Sequence, residues 1–182
     1  MTASLAERRQ AGLTALYLGV FAMIWFSVPD NQPPLGSYLM VGSLLAILVA
    51  GIGALLVLRV HRAGPVERNA VTDRRYLAVL AGELAAAGFG AVLLAVTHRS
   101  EFIVVLVGAI VGLHFLPLAP LLRDPALRVI GGAVCLAALA GLITGLMSDV
   151  PPARVTASGI GVLLLGYAIG ALIRIFVGRP GR

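Results

Sequence analysis

Apolar residues fall into six long runs along this chain, and the polar residues collect in the short stretches between them. Each run holds about twenty residues, enough to cross a hydrocarbon core ~30 Å thick as an α-helix. The pattern predicts spans at Ala11 to Val28, Tyr38 to Leu58, Tyr76 to Thr97, Phe102 to Leu122, Leu127 to Met147 and Val155 to Val177. The expected fold is an all-α integral membrane protein, six transmembrane helices arranged as three antiparallel hairpins. Residues 11–177 would form one transmembrane domain, with a short segment 1–10 before it and a tail 178–182 after it.

Local signals agree with several helix ends. Thr72-Asp73 and Ser100-Glu101 each offer a cap and an acid at a helix start. Asp124-Pro125 places a cap ahead of a first-turn proline, and Pro151-Pro152 stops one helix and opens the next. Pro29, Pro33, Pro34 and Gly36 mark the first turn, and Gly64-Pro65 breaks the second connection. Arg8-Arg9 ahead of an apolar run resembles a signal peptide. The run is too long for that and ends in Val28-Pro29-Asp30 with no small-x-small cleavage site, so it is read as a retained helix.

Composition agrees with the class. Hydrophobic residues make up 59% of the 182, charged residues 12%, and the mean hydropathy is +1.00. The net charge of +6 comes entirely from Arg on the basic side, spread along the loops without aromatic interleaving. Nucleic acid is therefore not an expected partner. Topology explains the charge better. With the N-terminus inside, Arg8, Arg9, Arg59, Arg62, Arg68, Arg74, Arg75, Arg123, Arg128, Arg174, Arg179 and Arg182 are cytoplasmic, and only Arg99 and Arg154 are external. Both termini are expected on the cytoplasmic side of a bacterial inner membrane. Trp25, Phe26 and Tyr38 then mark the outer interface, and Tyr76 and Phe176 the inner one. Arg without Lys and abundant Ala and Gly also suggest a GC-rich bacterial genome.

Helix packing is expected to use small residues, because lipid offers no hydrophobic drive for helices to associate. Gly108-xxx-Gly112, Gly141-xxx-Gly145 and Gly166-xxx-Gly170 supply ridges on the last three spans, and Gly82, Ala86 and Gly90 on the third. Packing within the chain is the favoured use, and a homo-oligomer the other. Cys135 is the only cysteine and is read as a packing residue.

Glu83 and His114 are the residues that need an explanation. Glu83 lies fifteen residues before His98 and His114 fifteen after Arg99, so a closed hairpin brings both to one depth, about 10 Å from the cytoplasmic end. An ionised carboxylate there costs at least ~2.5 kcal/mol unless it is paired or wet. A Glu–His pair meets the requirement as carboxylate with imidazolium, or as a neutral acid hydrogen-bonded to a neutral base. Tyr17 lies at a similar depth and Tyr167 somewhat deeper; both are candidates to extend the site, with an interhelical hydrogen bond the favoured role for each. Arg174 is expected to snorkel to the inner interface or lean towards Glu83. Pro117 and Pro120 free the carbonyls of Leu113 and Leu116 and predict a kink beside His114.

The segment Gly112-Leu113-His114-Phe115-Leu116-Pro117-Leu118-Ala119 resembles one found in small, uncharacterised bacterial membrane proteins of similar hydropathy. The resemblance implies six membrane helices and no particular activity.

Catalytic chemistry has little support. Ser158 and His114 are expected at opposite faces, too far apart for nucleophile and base. His61, His98 and His114 are scattered, and neither a metal-ligand spacing nor a phosphate loop is present. No cofactor, metal or catalytic residue is assigned, and the chain is not read as an enzyme. Two classes remain. One is a small transporter or permease component that binds a proton or a small polar solute at Glu83 and His114. The other is a non-catalytic scaffold or accessory subunit of a membrane partner, with the pair as a polar clasp.

Overall fold

A computed structural model describes residues 4–30, 33–61, 70–122 and 124–176. Among them every regular element is helical: α1 (Leu5–Phe26), α2 (Leu35–His61), α3 (Ala70–Val96), a 3-10 turn (Ser100–Phe102), α4 (Ile103–Leu122), α5 (Ala126–Met147) and α6 (Pro152–Phe176). All six apolar runs are thus helices. Four segments are long and apolar enough to cross a membrane: α2, Ser100–Pro120, α5 and Pro152–Ile175. In α3 the apolar stretch is shorter, Leu80–Val96. The helix starts at Ala70 and takes in Asp73, Arg74 and Arg75 before it becomes apolar. Likewise α1 takes Glu7, Arg8, Arg9 and Gln10 into its first turns. Its early start has a local cause. Ser4 Oγ accepts from the Glu7 amide at 3.2 Å while a Glu7 carboxylate oxygen accepts from the Ser4 amide at 2.9 Å. This reciprocal capping box satisfies two backbone donors that the helix leaves unpaired.

The chain divides into two compact units, residues 1–67 with 161–182, and residues 68–160, with the division falling inside α6. In the first unit α1 and α2 pack with backbones almost in contact. A Cβ built on Gly53 would lie 2.5 Å from the Leu16 amide nitrogen and 2.6 Å from the Gly12 carbonyl oxygen. One on Gly19 would lie 2.9 Å from the Ala46 carbonyl oxygen. Gly12, Ala15 and Gly19 thus form a trough that receives Ala46, Ala50 and Gly53, and all six are buried. Phe26, 4% exposed, lies against both Gly42 of α2 and Gly161 of α6. This corrects the expected aromatic belt: Trp25 and Phe26 are both buried, Phe26 in glycine notches, while Tyr38 is 73% exposed and free to meet an interface.

In the second unit α4 and α5 pack through Gly112 and Gly131. A Cβ on Gly131 would come within 2.7 Å of the Gly112 carbonyl oxygen, and one on Gly112 within 2.5 Å of Cys135 Sγ. Cys135 therefore fills a helix–helix contact, with its thiol 3.9 Å from the Ala109 carbonyl. Gly141 and Gly145 receive Thr156 and Pro152 at the start of α6, and Gly108 receives Ile160. Among the described residues, a Cβ built on Gly166, Gly170 or Gly82 would meet nothing within 4 Å, so the same motif is packed in two helices and open in a third.

Helix ends follow the sequence signals unevenly. An Asp124 carboxylate oxygen accepts from the Ala126 amide at 3.1 Å, although Pro125 and not Asp124 is the N-cap of α5, and Pro152 opens α6 as expected. Ser100 does not cap α4. The 3-10 turn there starts from Arg99, without a side-chain cap, because Phe102 N–H bonds the Arg99 carbonyl at 3.1 Å. The side chains of Thr72, Asp73, Tyr76 and Phe176, and the Gly64-Pro65 break, lie outside the described residues.

The close approach of α1 and α2 makes a specific prediction. Gly53→Leu must push two backbones apart and is expected to destabilise the chain by about 1–3 kcal/mol. Gly166→Ala meets open space and is expected to be neutral or slightly stabilising. Thermal unfolding in mild detergent distinguishes the two, and equal midpoints would contradict this packing.

Candidate functional site

The site is set by the hairpin of α3 and α4. At its turn Thr97 Oγ1 bonds back to the Leu93 carbonyl at 2.8 Å, and the Arg99 amide reaches the Leu94 carbonyl at 2.8 Å. His98 adopts φ 56°, the left-handed conformation that ends a helix and is more often given to glycine. Phe102 anchors the turn in an apolar cluster with Val105 and Ala138, flanked by Leu94, Ala109 and Leu142. Below the turn, Gly90 admits Leu106: a Cβ on Gly90 would lie 2.5 Å from Leu106 Cδ2. That contact fixes the register. Seven residues back along α3 stands Glu83 and eight forward along α4 stands His114, roughly 10–12 Å deeper from the turn.

The two side chains meet there. His114 Nδ1 lies 2.5 Å from Glu83 Oε2, with the His side chain 16% exposed and the Glu side chain 22%. Contact at that distance is a hydrogen bond when one of the two groups carries a proton. The pair is net neutral whichever group owns that proton, either carboxylate with imidazolium or acid with imidazole. Neutrality removes most of the penalty of a charge in an apolar surround.

The faces of α4 separate the roles of its residues. Gly112 and Phe115 face α5, where Phe115 Cβ lies over Gly131. His114 is two residues on, roughly 200° around the helix from Gly112, and therefore faces α3 instead. The Phe115 ring meets the His114 ring edge-on, with centroids 6.2 Å apart. Leu113, Leu116, Pro117 and Pro120 are exposed, and the helix runs on through both prolines to Leu122. The carbonyls of Leu113 and Leu116 lose their helical donors to those prolines, as expected from the sequence.

The other candidates belong to the first unit. Tyr17 is 59% exposed on α1. Tyr167 is half-buried on α6, with the Arg174 guanidinium 5.8 Å from its ring centroid. Arg174 is thus held by an aromatic face, an arrangement that sequence reasoning missed although the seven-residue spacing on one helix allows it. The Ser158 hydroxyl bonds back to the Arg154 carbonyl of its own helix, which ties it into α6.

If the contact is an isolated polar pair, it behaves accordingly in a variant cycle. His114→Leu leaves the carboxyl without its partner and is expected to cost about 1–3 kcal/mol. The Glu83→Leu/His114→Leu double variant is expected to return to within about 1 kcal/mol of wild type. Thermal unfolding in detergent measures both, and a double variant as unstable as the single would mean that further groups share the pair.

Comparison with protein-family models, with curated proteins and with solved structures gives no match, so the reading of the site rests on its geometry.

Proposed function

We propose that the chain crosses a bacterial cytoplasmic membrane six times, with both termini inside, and serves as a small transporter or permease component. In this reading the Glu83–His114 pair takes up and releases a proton or binds a small polar solute from the cytoplasmic half. Support for six spans comes from six helices over the six apolar runs, with the polar first turns of α1 and α3 emerging at the headgroups. Support for the orientation comes from the arginines, twelve inside against two outside among the fourteen.

One observation carries the functional reading: an acid and a histidine in direct contact, deep in a hairpin that closes without them. The turn is already held by His98, Arg99 and Phe102, and the register by Gly90 against Leu106. A polar pair that the fold does not need for closure is better accounted for by what it binds. The pair can hold a proton in either of two tautomeric forms without a change in net charge. The same short contact also supports a second reading, a scaffold or accessory subunit in which the pair clasps α3 to α4.

Proton flux into proteoliposomes with a trapped pH dye tests the first reading. Under an inside-negative potential, wild type is expected to acidify the lumen above protein-free vesicles, and Glu83→Gln to fall to that background. The Gln variant is expected to melt at or above wild type, because an amide needs no charge partner. Background flux in wild type, together with a Gln variant that melts several degrees lower throughout pH 5 to 9, would favour the clasp.

A further inference from the structure

We propose that the end of the first unit formed by the start of α1 and the end of α2 binds a phosphate-bearing anion, delivered as the headgroup of an anionic phospholipid. The inference rests on the orientation proposed above and is independent of the Glu83–His114 site. Contacts between the two helices bring the basic residues together. A Cβ on Gly12 would meet the Gly53 carbonyl at 3.0 Å, Val57 Cγ2 at 3.0 Å and Leu56 Cβ at 3.1 Å. Arg8 and Arg9 lie one turn before Gly12, and Arg59 follows Val57 by two residues, so three guanidiniums share one end. His61 closes α2 beside them. In the six-span topology α6 returns to the same side and adds Arg174, already propped on the Tyr167 ring.

Among the described residues, little neutralises this cluster. Glu7, the acid next to Arg8, uses its carboxylate to cap the Ser4 amide. Among the described residues, Arg8, Arg9 and Arg59 make no ion pair. Arg8 Nε is buried and has no hydrogen-bond partner. Orientation by positive charge explains exposed arginines, but it does not explain a guanidinium N–H buried without an acceptor. A phosphate supplies that acceptor, and its oxygens match the guanidinium fork in pairs. The surroundings favour a lipid as the source. Leu5, Leu55 and Leu58 are exposed close to the cluster and offer an apolar surface to acyl chains directly beneath a headgroup. Basic residues at this level also face the anionic cytoplasmic leaflet.

The test uses the full chain in neutral detergent, with phosphatidylglycerol, phosphatidylcholine or inorganic phosphate added, read by thermal melting and by native mass spectrometry. Phosphatidylglycerol is expected to raise the midpoint and to remain as a bound adduct, whereas phosphatidylcholine and inorganic phosphate do neither. Arg8→Gln and Arg59→Gln are each expected to weaken the apparent affinity roughly fivefold, while Arg99→Gln leaves it unchanged. Should Arg8→Gln fail to fold, Arg8→Lys keeps the charge but loses the fork, and is expected to bind the lipid more weakly than wild type. Equal effects of the two lipids, or full retention in the Arg8 and Arg59 variants, would overturn the site. A full shift with inorganic phosphate would overturn the lipid source. Retention of phosphatidylglycerol in Glu83→Gln, whatever its proton flux, separates this site from the proposed function.

Discussion

The distance to which two helix backbones can approach governs the rest of this structure. Helices surrounded by lipid gain nothing from leaving water, so their association depends on dispersion contacts of about 0.1–0.2 kcal/mol per atom pair and on their number. That number rises steeply where glycine removes the side chain between backbones. Gly12 against Gly53 and Gly112 against Gly131 are such places, with carbonyl oxygens within van der Waals range of the facing helix. At Gly90 the same opening admits a side chain, Leu106, and so determines which residues of α3 and α4 stand opposite each other two turns deeper. The Glu83–His114 contact is therefore a consequence of register as well as of chemistry.

A carboxyl at that position has few stable arrangements. It must be protonated, hydrated or paired, and the structure places the His114 imidazole against it. Partial exposure of both side chains, 16% and 22%, means that the pair is reached from outside the hairpin rather than sealed within it. A clasp that served stability alone would gain from complete burial in an apolar shell, or from replacement by apolar residues.

Much of this was legible in the sequence, for identifiable reasons. Helices of this length announce themselves through uninterrupted hydropathy, and the site followed from counting equal numbers of residues on either side of the turn at His98-Arg99. Less legible was anything that depends on which face of a helix meets which neighbour. The trough of Gly12, Ala15 and Gly19 mixes spacings of three and four, so a search for paired glycines four apart passes over it. The ridge at Gly166 and Gly170 satisfies that search, yet a Cβ added there would meet nothing among the described residues. Trp25 and Phe26 look like interfacial aromatics because of their place near a helix end, but glycines at 42 and 161 leave room for Phe26 inside. Ser4 and Glu7 carry a helix-start signature that extends α1 into its polar segment. A hydropathy boundary at Ala11 could not register that, because it follows side-chain polarity and not backbone hydrogen bonding.

The prolines of α4 add a last constraint. Pro117 and Pro120 have no amide hydrogen to offer the carbonyls of Leu113 and Leu116, yet α4 keeps its helical course through both. Both prolines and both leucines are exposed, whereas Gly112 and Phe115 face α5. A carbonyl without a donor is tolerated in a membrane only where protein or water reaches it. Those two carbonyls lie within two residues of His114, beside the acid and the base. In the transport reading proposed above, those carbonyls are the groups that would accept hydrogen bonds from a water molecule or a polar solute beside the Glu83–His114 pair.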